Sequence, residues 1–133
     1  MTMTSELTVL ALAGLLQFAQ MIAYSLAAQR QIGRRAAMGT RDELAGHVLT
    51  GGAGRLQRAL NNHFEGLILF TIAVVVVTLG QKSSIITAIL AWTYLGARIL
   101  YVPAYLLGWV PGRSIIWAVG FVATILMIMA SLL

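Results

Sequence analysis

Arg58-Ala-Leu-Asn-Asn-His-Phe-Glu65 runs without a helix breaker into Gly66-Leu-Ile-Leu-Phe-Thr-Ile-Ala-Val-Val-Val-Val-Thr-Leu79. The second stretch is apolar enough to sit in a bilayer but too short to cross one. At roughly 1.5 Å per residue it covers about 21 Å, against a hydrocarbon thickness of about 30 Å. The polar turns in front of it must therefore enter the membrane. Charged groups at that depth are costly unless they face the bundle interior or a wet cavity. Arg55, Arg58, Asn62 and Glu65 follow steps of three, four and three residues and share one helical face.

Three further apolar runs surround this one. They cover Leu7 to Ala28, Ser84 to Trp109 and Ser114 to Leu133, and the second span runs from Gly54 to Leu79. The expected fold is an all-α integral membrane protein, a single domain over residues 1–133 built as an up-down bundle of four transmembrane helices. Composition agrees: 59% of the 133 residues are hydrophobic and only 10% are charged, where a soluble domain carries about 25%. Met1–Glu6 has no positive charge and ends in an acid, so the first run reads as a retained helix rather than a secretory leader. Gly80-Gln-Lys-Ser-Ser84 is a tight turn, and Pro111-Gly112 breaks the chain before the last span.

The net charge of +5 sits mainly between the first two spans, in Arg30, Arg34, Arg35 and Arg41, with Arg55 and Arg58 following. That distribution points to anionic lipid headgroups, not nucleic acid. By the positive-inside rule the 29–57 loop is cytoplasmic and both termini lie on the opposite side. Gly51-Gly-Ala-Gly54 lacks the Gly-Lys-Ser/Thr ending of a phosphate loop and reads as a flexible approach to the second helix. There is no cysteine, so a protein thiolate is excluded. His47 and His63 lie far apart, and no metal site is expected.

The third span carries a matching stripe, Tyr94, Arg98, Tyr101 and Tyr105, at steps of four, three and four. The turn between spans two and three centres near Lys82, so residues equidistant from it share a membrane level. That pairs Glu65 with Arg98, Asn62 with Tyr101, and Arg58 with Tyr105. Whether these faces meet within one subunit or across two is open. A structural ion pair between Glu65 and Arg98 is one reading. The other starts from the excess of arginine over carboxylate, which calls for an anionic small-molecule ligand. His63 lies off the stripe and reads as a packing or lipid-interface residue. Gln17, Gln20 and Tyr24 on the first span read as helix–helix hydrogen-bonding groups.

These motifs resemble those of the MAPEG family, the membrane-associated proteins in eicosanoid and glutathione metabolism, in a bacterial-type member. Arg-x-x-x-Asn-x-x-Glu appears as Arg58, Asn62 and Glu65. Ala-Arg-x-x-Tyr-x-x-x-Tyr appears as Ala97, Arg98, Tyr101 and Tyr105. Pro-x-Arg-Ser appears as Pro111, Arg113 and Ser114, and Gln29-Arg30 closes the first span. Leu60 replaces a glutamine found in some members, and the glycine-rich 29–57 loop is longer than in the eicosanoid enzymes. The resemblance implies a homotrimer in the bacterial inner membrane that binds glutathione as co-substrate at each subunit interface. It implies Arg30, Arg58, Asn62, Glu65, Arg98, Tyr101 and Tyr105 as glutathione ligands. It implies Arg113 with Ser114 as the thiol-activating pair in a transferase or peroxidase acting on a lipophilic small molecule. A non-catalytic binding or structural protein of the same fold is the alternative. A small multidrug exporter has similar length, but resembling proteins carry a glutamate inside the first helix, and here that helix has Gln17 and Gln20.

Overall fold

The computed structural model describes residues 2–32 and 51–133. They form α1 (Ser5–Ile32), α2 (Gly51–Leu79), α3 (Ile85–Leu106) and α4 (Gly112–Leu132). Each contains a stretch long and apolar enough to cross a membrane. The expected boundaries hold to within a few residues. The main difference is at the start of α2, which begins at Gly51, so the Gly51–Gly54 segment read as a flexible approach is helical. Arg34, Arg35, Arg41, Asp42, Glu43 and His47 lie outside the described residues.

The helices pack most closely as two hairpin-like pairs, α1 with α2 and α3 with α4. α2 and α3 each also touch the opposite pair, whereas α1 and α4 make no mutual contact among the described residues. The seam is built from Val9 and Ala13 on α1, Phe70, Ala73 and Val74 on α2, Ala91, Tyr94 and Leu95 on α3, and Ala123 and Met127 on α4. The alanines let backbones approach closely, which matters where lipid removes the hydrophobic drive between helices. The outer faces carry Leu15, Phe18, Ile22, Ile72, Ile86 and Ile115, all exposed, as a lipid-facing surface requires.

The α2–α3 turn is a Schellman closure. Lys82 N donates to Val77 O at 2.9 Å and Gln81 N to Thr78 O at 3.2 Å. Gln81 takes the left-handed φ of 56°, so the position usually given to glycine is held by a glutamine. Glycine is required one residue earlier. A Cβ on Gly80 would lie 2.7 Å from the Val76 carbonyl oxygen.

α3 then starts with a capping box. Ser84 Oγ accepts from Thr87 N at 3.2 Å, and Thr87 Oγ1 accepts from Ser84 N at 2.8 Å. Glu6 of α1 is fully buried against this corner. Ser83 Oγ lies 3.0 and 2.9 Å from its two carboxylate oxygens, and Thr87 Oγ1 donates to Oε1. The acid that ends the N-terminal flank thus ties α1 to the α2–α3 turn, and its charge sits at the positive end of the α3 dipole.

Candidate functional site

At the opposite end of the bundle the two polar stripes meet within the one chain. Arg58 Nε donates to the Tyr105 hydroxyl at 2.9 Å, one of the level pairs expected from the sequence. Arg55 Nη1 donates to the Leu106 carbonyl at 2.8 Å and satisfies one of the free carbonyls at the end of α3. Asn62 and Tyr101, a second level pair, line one cavity together with Tyr105, Arg113, Ser114 and Trp117. Its volume is about 230 Å³.

Three cations gather on its tyrosines, and Arg113 also lines the space itself. Arg113 stacks over the Tyr105 ring at 4.8 Å, and Arg98 over the Tyr101 ring at 4.7 Å. Arg58 approaches the Tyr105 ring from 5.8 Å. Tyr101 and Tyr105 pack against each other in a tilted pair with centroids 5.6 Å apart. The Tyr105 ring thus positions the Arg113 guanidinium, whose N–H groups meet no acceptor among the described residues and can take a bidentate anion.

The third level pair does not form a contact. Arg98 is buried, but it donates Nη1 to Asn62 Oδ1 at 2.9 Å and Nε to His63 Nδ1 at 3.2 Å. Glu65 is exposed on the outside of α2. The reason is rotational. At about 100° per residue, Asn62, His63 and Gly66 fall within an arc of about 100°, whereas Glu65 lies about 160° from His63. Arg98 addresses that arc, and a Cβ on Gly66 would stand 3.8 Å from its Nη1. Equal depth therefore did not mean equal facing.

His63, read from the sequence as a packing or lipid-interface residue, packs inside the bundle. It is fully buried, accepts from Arg98 through Nδ1, and donates from Nε2 to the Ala13 carbonyl of α1 at 3.1 Å. It fixes the buried arginine to two helices at once, which is a packing role. Trp117 was missed in the cavity wall. It lies one helical turn beyond Arg113, so the i, i+4 spacing on α4 was the available signal. Arg30 is exposed in the last turn of α1. On that helix, Gln20 is buried with no partner for its amide among the described residues, and Tyr24 receives only a long 3.5 Å contact from Gln57. The helix–helix hydrogen bonds expected of Gln17 and Gln20 are not formed among the described residues.

A family model for the MAPEG family matches residues 7–133, with the paired stripes and the Arg113 corner all inside the match. The chain belongs to the MAPEG family. No curated protein and no solved structure matches the chain. For a MAPEG protein the four-helix membrane bundle is the expected architecture, and glutathione is the common co-substrate of the family. The donor set fits such a ligand. Glutathione carries two carboxylates and an ammonium. Arg113 lines an open polar cavity with no carboxylate among the described residues of its wall, and Arg58 adjoins it through the Tyr105 hydroxyl.

Proposed function

We propose that the protein is a membrane-embedded glutathione-dependent transferase or peroxidase. The observation that carries this reading is the polar cavity lined by Arg113, with Arg58 and Arg98 on its tyrosines and no carboxylate among the described residues of its wall. Guanidinium forks pair with carboxylates through two parallel hydrogen bonds. Arg58 binds a glutathione carboxylate, held in line by the Tyr105 hydroxyl. Asn62 and Tyr101 offer polar groups to the peptide units. Arg98 is a positioning residue, since its bonds to Asn62 and His63 orient the former toward the cavity. Arg30 and Glu65 are exposed and complete the site from a neighbouring subunit's side, Glu65 accepting from the ligand ammonium.

Glutathione bound there supplies a thiolate to a lipophilic electrophile or peroxide. A free thiol has a pKa of about 8.5, so a cation is needed to populate the anion at neutral pH. Arg113 holds that negative charge, and the Ser114 hydroxyl adjoins it in the same wall. Its stacking on Tyr105 keeps the guanidinium in place without consuming its N–H donors.

Assembly follows from the same accounting of charge. An exposed carboxylate at membrane depth is costly on a lipid-facing surface, and Glu65 is such a group. A homotrimer covers it at a subunit interface and closes the site. The excess of arginine in the 29–57 loop supports a cytoplasmic side for this end of the bundle, in a bacterial inner membrane. A non-catalytic MAPEG protein is the second reading, and the complete internal satisfaction of His63 by Arg98 and Ala13 favours it locally.

The test is turnover of glutathione with a chromogenic electrophile and with a lipid hydroperoxide by the purified protein. The proposal expects steady turnover, lost in Arg113→Ala while glutathione binding persists. Absence of glutathione binding at millimolar concentration would overturn it.

A further inference from the structure

Behind the polar cavity a chain of hydrogen bonds runs from α1 to Asn62, and its direction is fixed at every step. Arg98 is buried, and both of the hydrogen bonds it makes among the described residues go to neutral acceptors, Asn62 Oδ1 at 2.9 Å and His63 Nδ1 at 3.2 Å. A guanidinium has donors only, so each partner must turn an acceptor toward it. His63 Nδ1 is therefore bare and the ring proton sits on Nε2. That nitrogen faces the Ala13 carbonyl of α1 at 3.1 Å, and a carbonyl can only accept. The two ends of the ring thus demand the same tautomer. The reverse tautomer, or a doubly protonated ring, would set a donor against a donor.

The same rule reaches the cavity. Asn62 turns Oδ1 to Arg98, which leaves its amide Nδ2 as the group it can offer to the space it lines. Two bonds from one planar guanidinium fix its rotation, and the Tyr101 ring lies against it at 4.7 Å. Close packing adds to this. A Cβ on Gly66 would stand 3.8 Å from Arg98 Nη1, and one on Gly120 would stand 3.9 Å from Arg98 Cδ. Without the His63 acceptor the guanidinium keeps one bond and can swing about it, and Asn62 swings with it. No residue of α1 lines the cavity among the described residues. His63 nevertheless ties the cavity to the α1 backbone, at the point where Ala13 packs in the helix seam.

We infer that His63 is a positioning residue for the polar cavity: it anchors Arg98 to the backbone of α1, and Arg98 so held turns Asn62 to present its N–H groups to the ligand. The inference rests on the proposed function for the identity of that ligand, glutathione, and stands apart from it for the hydrogen-bond chain. It also sets what Asn62 reads. A ligand oxygen, from a carbonyl or a carboxylate, meets a donor there, whereas a ligand N–H would meet another N–H.

The test pairs a spectroscopic signature with a set of binding titrations. The ¹⁵N spectrum of the histidines at neutral pH in detergent, assigned with His47→Ala, is expected to show His63 as the neutral Nε2–H tautomer. Any other protonation of His63 overturns the inference, and this arm needs no change at the site. Titration with glutathione then separates the two ring nitrogens. His63→Gln keeps a donor for Ala13 and removes the acceptor for Arg98; it is expected to weaken binding about tenfold. His63→Asn puts an oxygen near the place of Nδ1 and is expected to recover most of that loss. Both variants give up one hydrogen bond, so unfolding in detergent is expected to show a stability loss in both while affinity follows only the acceptor. In an Asn62→Ala background His63→Gln is expected to have no further effect, since the path runs through Asn62. Equal loss of affinity in the two variants, or an undiminished effect of His63→Gln beside Asn62→Ala, would overturn the inference and leave the proposed function standing. The expected tautomer in an unmodified protein that binds no glutathione breaks the proposed function and leaves the hydrogen-bond chain.

Discussion

The bundle holds a polar cluster at each end, and they treat buried charge in opposite ways. At the α2–α3 turn one carboxylate, Glu6, is enclosed by the hydroxyls of Ser83 and Thr87 and by the start of α3. The carboxylate takes its hydrogen bonds from the chain itself. At the other end Arg58, Arg98 and Arg113 gather around two tyrosines and a cavity of about 230 Å³, with no carboxylate in the wall. The first cluster is closed and holds helices together. The second is open and carries charge that no carboxylate among the described residues of the cavity wall neutralises. The difference separates structure from function more sharply than burial does, because each cluster contains a buried ionisable group.

The contrast can be broken at its strongest point first. Arg113→Ala is expected to lower turnover about a hundredfold, in the range seen for removing one donor to a developing anion, with glutathione affinity changed far less. Steady-state kinetics and equilibrium binding on the same preparation separate the two effects. Next, Arg58→Ala is expected to weaken glutathione binding by roughly tenfold to a hundredfold, the range for a lost charged hydrogen bond, and a titration reads it directly. The closed cluster should respond in the other currency. Glu6→Ala strands the Ser83 hydroxyl and unties α1 from the turn, and is expected to destabilise the fold by about 1–3 kcal/mol, with glutathione affinity intact; thermal or denaturant unfolding in detergent measures it. Smallest is Ser84→Ala, which removes the cap of α3 and is expected to cost about 1 kcal/mol. If Glu6→Ala changed glutathione affinity as much as Arg58→Ala, the division between the two ends would fail.

The four spans were legible because length and hydropathy alone decide them, and the observed helices start and stop near the expected residues. The polar site was legible as a deficit, since α2 has too little apolar length and the preceding turns had to be at depth. Arg58 with Tyr105 was even placed at the right level. What stayed hidden was rotation. Periodicity names the residues that share a face, but not which neighbour that face meets. Glu65 belonged to the stripe and yet points outward, while His63, one residue off it, became the partner of Arg98. Glu6 was hidden for a different reason. Its partners lie more than seventy residues along the chain, at Ser83 and Thr87, and nothing local distinguishes it from an ordinary flanking acid.

The most direct test of the open cluster as a glutathione site is an equilibrium titration of the unmodified protein in nanodiscs with radiolabelled glutathione. Saturable binding that weakens with added salt, and weakens further in Arg58→Ala, is the predicted result. No saturable binding up to millimolar glutathione would contradict the account.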